Sequence, residues 1–229
     1  MASEAARARR PSLWRTRNGI LLAAALLSSA VAWWMIAWPP LTFSNVAEHP
    51  EHFSLTYVHA IGGSGMLLFG GLNLYLAARK DHFKLHRAVG RAYLAFGVLG
   101  SVSAIVVTSS MAHKAAGSPI LTNSTLSLLT LAVVWLAFAA VGWRAAWNRR
   151  FPSHAQWMVR SYVLAWAFVF CRIASRLSDL DELGNGEAFI WLSWIVPLIV
   201  AELVLQWPEG ARKVPRPVGH QARAPSETQ

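Results

Sequence analysis

Four histidines, His59, His86, His113 and His154, lie inside or at the ends of long apolar runs, together with Arg87, Arg91, Arg160 and Arg172. A titratable or charged group is expensive to hold at membrane depth, so each of these needs a reason to be there. Two neutral imidazoles from neighbouring helices at one depth can ligate a haem iron axially, each nitrogen about 2 Å from the metal. His86 and His154 open the third and fifth apolar runs on the same side, so their depths match. His59 and His113 both lie toward the other side, which makes a second pair geometrically possible. Arg87, Arg91 and Arg160 are placed to meet haem propionates as charge-assisted partners. His86 and His154 suit a divalent metal or a proton relay equally well. Plain structural roles compete with all of these. His86 stands in the basic interfacial stretch KDHFKLHR, and His154 follows Ser153 at a helix start, where water can solvate it.

Helical spacing predicts which way these groups face. From His59 the positions one, two, three and four turns on are Gly63, Met66, Gly70 and Asn73, a stripe of small and polar residues. Small residues let membrane helices approach closely, so the stripe is expected to face the bundle and carry His59 inward. Gly90, Tyr93, Gly97 and Ala104 form a comparable stripe on the next run. In the fifth run His154 and Arg172 share an azimuth at 3.6 residues per turn, with Met158, Ser161, Ala165 and Phe168 between them.

The elements that must position these groups are membrane spans. Of 229 residues, 55% are hydrophobic and only 14% charged, where an ordinary soluble domain carries about a quarter charged residues. Mean hydropathy is +0.36. Crossing the hydrocarbon core takes about 20 apolar residues as a helix. Six such segments are expected, at 19–38, 56–78, 90–112, 120–143, 156–177 and 187–207, within one transmembrane domain over 19–207. Pro119 and the LTNST stretch are expected to lead into the fourth span rather than belong to it. The fifth must carry Arg160 and Arg172, and the sixth Glu202, so Glu202 is expected to pair with an arginine such as Arg160. A basic segment, 1–18, precedes the bundle, and the Pro, Arg, Gln and Ser content of 208–229 predicts a disordered tail.

Charge sets the expected orientation. Eighteen of the 21 basic residues fall in the N-terminal segment, the second and fourth connections and the tail. The other side holds Lys114, Arg172 and Arg176 and collects Glu48, Glu51, Asp179, Asp181, Glu182 and Glu187. Retention of Lys and Arg in the cytoplasm puts both termini inside, in a plasma (inner) membrane. Ala30-Val31-Ala32 resembles a signal-peptidase site, but the apolar run continues through Trp38, so a retained span is expected. The net charge of +10 is spread over short connections and does not suggest nucleic acid. Twelve Trp suit rings at the headgroup level. The single Cys171 excludes an intramolecular disulfide and any multi-cysteine metal site. No P-loop, dinucleotide glycine pattern, nucleophile elbow or HExxH occurs, which argues against conventional soluble catalytic machinery.

The segments VHAIGGSGMLLFGGLNL, LHRAVGRAYL and HAQWMVRSYVLAWAFVFCRI carry a recognisable pattern: a His opening one span, then His-Arg-x-x-Gly-Arg-x-Tyr, then His-x-x-Trp-Met-x-Arg-Ser-Tyr. His59, His86, Arg87, Gly90, Tyr93, His154, Trp157, Met158, Arg160, Tyr162 and Arg172 fall on it. Over about residues 55 to 177 this resembles the bacterial predicted-membrane-protein family numbered 2306 among domains of unknown function. That resemblance implies the topology and the choice of residues but no reaction. More loosely, the arrangement is similar to transmembrane di-haem b-type cytochromes, which implies an inner histidine pair from spans three and five. Span four has no histidine to complete the outer pair.

The sequence is therefore read as an all-α polytopic membrane protein of about six helices. Its histidines His86, His154 and His59, with Arg87, Arg91, Arg160 and Arg172, are candidates for holding b-type haem for electron transfer, with His86 and His154 as the metal ligands. The partners expected are the lipid bilayer and respiratory or other membrane proteins. A non-enzymatic scaffold, assembly factor or small transporter with structural or proton-relay histidines is the alternative.

Overall fold

The computed structural model describes residues 19, 22–31, 34, 53–79, 82–114, 119–171 and 186–210. Among them every regular element is a helix. They are α1 (Leu22–Val31), α2 (Phe53–Arg79), α3 (Phe83–Lys114), α4 (Pro119–Trp147), α5 (Phe151–Ala165) and α6 (Gly186–Gly210). After Trp166 the chain is helical again over 167–171. At Trp166 the backbone N–H bonds to Val163 O at 3.2 Å, a tighter turn than the α-helical ladder.

Stretches of α2, α3, α4 and α6 are each long and apolar enough to cross a membrane: Leu55–Arg79, Phe83–Ser110, Asn123–Trp147 and Ala188–Gln206. The first expected span is described over the shorter α1, and the fifth only as far as Cys171, so Arg172 lies outside the described residues; of the tail expected from 208, residues 208–210 belong to α6 and 211–229 lie outside the described residues. Helix boundaries outrun the apolar runs. α3 begins at Phe83 and takes in His86, and α4 begins at Pro119 rather than after the LTNST stretch. Backbone hydrogen bonding carries a helix on past the point where side chains turn polar, and a proline in the first turn loses no bond it would have made.

Unlike a water-soluble bundle, this one is apolar on the outside as well as in its core. Among the described residues seven serines are buried beside the apolar core: Ser28, Ser64, Ser101, Ser103, Ser127, Ser161 and Ser193. Large apolar side chains also line the outside. On α3, Val98, Val102 and Val106 recur every turn on an exposed face, and on α6 Leu203 and Val204 are more than half exposed. An outer surface of that kind is stable against lipid, while the small buried serines permit close helix contact.

The inner surfaces fit by small residues. A Cβ on Gly62 would lie 2.5 Å from the Gly100 backbone nitrogen, so α2 and α3 touch main chain to main chain. Trp135 of α4 lies over Gly97 and meets Tyr93 edge-on at 5.8 Å. The Tyr162 ring lies over Gly70. The Tyr162 hydroxyl reaches Ser28 of α1, and the Tyr93 hydroxyl meets Ser161 Oγ at 2.9 Å. Trp194 Nε1 of α6 donates to Ser127 Oγ of α4 at 3.1 Å. The core thus centres on Tyr93, Trp135, Tyr162 and Leu164, joining α3, α4 and α5.

Candidate functional site

His86 and His154 occupy equivalent places, each the fourth residue of its helix, in α3 and α5. The turn that brings α5 back begins where α4 ends. Arg150 N–H bonds Ala145 O at 2.8 Å and Arg149 N–H bonds Ala146 O at 3.0 Å, with Arg149 at φ 58°. This is the Schellman arrangement, with arginine at the left-handed position that glycine usually fills. Pro152 in the first turn of α5 lacks an N–H that would otherwise go unpaired.

His154 is half-buried, not solvated. Its Nδ1–H donates to the Gly142 carbonyl of α4 at 2.8 Å. A carbonyl can only accept, so the neutral ring carries its proton on Nδ1 and presents an unprotonated Nε2. Such an anchoring bond to a backbone carbonyl is how metal-binding imidazoles are commonly oriented. His86 is hydrogen-bonded to the backbone of Asn73, and its Nδ1 is buried.

Both rings line one cavity of about 990 Å³ at the basic end of the bundle. Asn73, Arg87, Arg149, Tyr93 and Met158 share its wall. Asn73 Oδ1 is buried and unpartnered. A buried polar atom left unbonded costs roughly 1–3 kcal/mol. The volume is near the upper end of the roughly 300–1,000 Å³ typical of cofactor and ligand pockets.

The arginines divide differently from the expectation. Arg87 is on the cavity wall. Arg91 is exposed and off it. Arg160 is turned away, its Nε and Nη2 both donating to the Glu202 carboxylate of α6, and its guanidinium stacks 4.8 Å from the Trp157 ring centroid. In their place stands Arg149, whose cavity position depends on a turn geometry that residue types do not announce.

His59 faces inward as its stripe predicts, but belongs to a second, smaller cavity. Its Nδ1–H donates to Gly100 O at 2.9 Å and its ring meets Phe168 edge-on at 5.0 Å. Gly63 and Met66 continue on that wall, whereas Gly70 and Asn73 reach the larger cavity. The stripe on α2 thus serves both. The His113 side chain lies outside the described residues. Among the described residues no three His, Cys, Asp or Glu side chains gather at one point.

An all-helical chain with several membrane-length apolar helices, buried serines and an apolar exterior is a polytopic membrane protein. Residues 56–205 match the family described as predicted membrane protein (DUF2306), and the chain belongs to that family. The match runs beyond the residues 55–177 that carry the sequence pattern and takes in α6. Neither curated proteins nor solved structures give a significant match.

Proposed function

We propose that this membrane protein is a transmembrane electron carrier that holds a b-type haem between His86 and His154. The observation that carries the reading is the shared cavity. One imidazole there is oriented by the Gly142 carbonyl with Nε2 unprotonated, and the other lines the same wall. Two imidazoles and no carboxylate form a donor set that suits haem iron better than Mg²⁺ or Ca²⁺, which favour oxygen ligands. Arg87 and Arg149 on the same wall, with the first turns of α3 and α5, offer positive charge and helix N-termini to carboxylate side groups. Haem would supply one-electron chemistry. The protein's part is to fix the two rings, neutralise the propionates and exclude water with Met158, Tyr162 and Tyr93.

The basic excess at this end supports a cytoplasmic orientation, with both termini inside a bacterial plasma membrane and respiratory proteins as partners. The non-enzymatic alternative, a scaffold or transporter with structural histidines, predicts a colourless protein. The test is the haem content of protein purified in mild detergent, measured as the pyridine haemochrome. Wild type is expected to carry one haem per chain, and His154→Ala to lose it while remaining folded. Haem-free wild-type protein, from cells supplied with haem precursor, rejects the proposal.

A further inference from the structure

α4 keeps one face to the outside. Leu126, Val133, Ala137 and Val141 are exposed at steps of seven, four and four residues, so they form one stripe, and Arg144 takes its next place. From Val133 to Arg144 the stripe runs about 17 Å at 1.5 Å per residue, roughly one leaflet of a hydrocarbon core about 30 Å thick. Beyond Arg144 the chain folds back. Asn148 N–H bonds Arg144 O at 3.0 Å and Arg150 N–H bonds Ala145 O at 2.8 Å, which holds Arg150 beside the last turn of α4. Arg144 and Arg150 are exposed, neither lines the large cavity, and neither has an ion pair among the described residues. Around them Trp147 is 78% and Phe151 63% exposed, and Trp143 is exposed too.

We propose that this corner binds an anionic phospholipid of the bilayer, its phosphate on Arg144 and Arg150 and an acyl chain along the Val133–Val141 stripe. Guanidinium groups pair with phosphate oxygens through two parallel N–H bonds. The indole of Trp147 suits headgroup depth, where one side is apolar and the other wet. The stripe ending at Arg144 accounts for the chain. An acidic soluble protein would use the charge and leave the stripe bare, and free phosphate would use neither ring nor stripe. Trp147 and Phe151 also border the large cavity, but the assignment stands apart from the haem reading, because its test uses no haem signal.

Phosphatidylglycerol is titrated into the full chain in a nonionic detergent, and bound lipid is counted by native mass spectrometry. Phosphatidylcholine with the same acyl chains is the control. Wild type is expected to bind one phosphatidylglycerol saturably and phosphatidylcholine far more weakly. Removing each arginine should weaken phosphatidylglycerol roughly five-fold, so Arg144→Gln with Arg150→Gln should weaken it about 25-fold. Lys84→Gln with Arg91→Gln removes equal charge from exposed positions of α3 and should change it far less. Glycerol phosphate should not displace the lipid. Equal binding of the two lipids would overturn the assignment and leave the patch to an acidic soluble protein. Equal losses in the two double variants would also overturn it, as would displacement by glycerol phosphate. If the Arg144, Arg150 double variant does not fold, Arg144→Gln alone decides by its five-fold loss.

Discussion

Arg160 and Glu202 meet side-on, two guanidinium N–H groups on two carboxylate oxygens, and so join α5 to α6. Gln206 adds a bond to the same carboxylate at 3.0 Å. The side chains are only 13% and 33% exposed. Either charge alone in that setting lacks both water and its partner. Arg160→Ala and Glu202→Ala are each expected to lower stability by about 1–3 kcal/mol. The exchanged pair Arg160→Glu with Glu202→Arg should recover most of the loss in a thermal melt. An additive loss in the exchanged variant would show that the two charges act separately.

Gly62 and Gly63 are neighbours with opposite expectations. A methyl group at Gly62 meets the backbone of Gly100, which cannot move without separating α2 from α3, whereas one at Gly63 meets nothing within 4 Å. Gly62→Ala should cost about 2 kcal/mol or more through overpacking. Gly63→Ala should be neutral or gain up to about 1 kcal/mol from helix propensity. Equal melting midpoints for the two variants would contradict the close α2–α3 contact.

Tyr93 and Ser161 share one buried hydrogen bond, but the bond does not have two equal halves. Ser161 Oγ also donates to Met158 O at 2.9 Å, so the Tyr93 hydroxyl is the donor between them. Tyr93→Phe removes that donor and leaves Ser161 satisfied, costing about 0.5–1.5 kcal/mol. Ser161→Ala strands a fully buried phenol and should cost more, about 1–3 kcal/mol. Chemical denaturation of both variants checks the order.

Arg149 carries a left-handed backbone at a position glycine would fill without strain. Arg149→Gly is therefore expected to raise stability by roughly 1 kcal/mol while removing a positive charge from the large cavity. A variant that is less stable than wild type would show that the arginine side chain supports the turn.

The features legible in the sequence were those fixed by helical spacing or by the cost of charge in lipid. The stripe from His59 to Asn73 faces the bundle because side chains three and four apart share a face whatever the neighbours are. Glu202 and Arg160 pair because neither is tolerable alone in an apolar run. His86 and His154 reach one cavity because two parallel helices joined through a third begin at the same end. Tertiary contact decided the rest. The seating of Trp135 on Gly97 depends on how α4 settles against α3. Arg149 enters the cavity through a turn conformation atypical of arginine. Arg160 looked like a cavity residue by depth, and its rotation toward α6 is set by where Glu202 lies.

The proposal that His86 and His154 hold one iron between them is tested most directly by the reduced-minus-oxidised absorbance spectrum of the purified protein and three single-alanine variants. Wild type is expected to show a b-type α-band, lost or converted to a high-spin form in both His86→Ala and His154→Ala and retained in His59→Ala. A wild-type spectrum without a haem band, or a band unchanged by both substitutions, would contradict it.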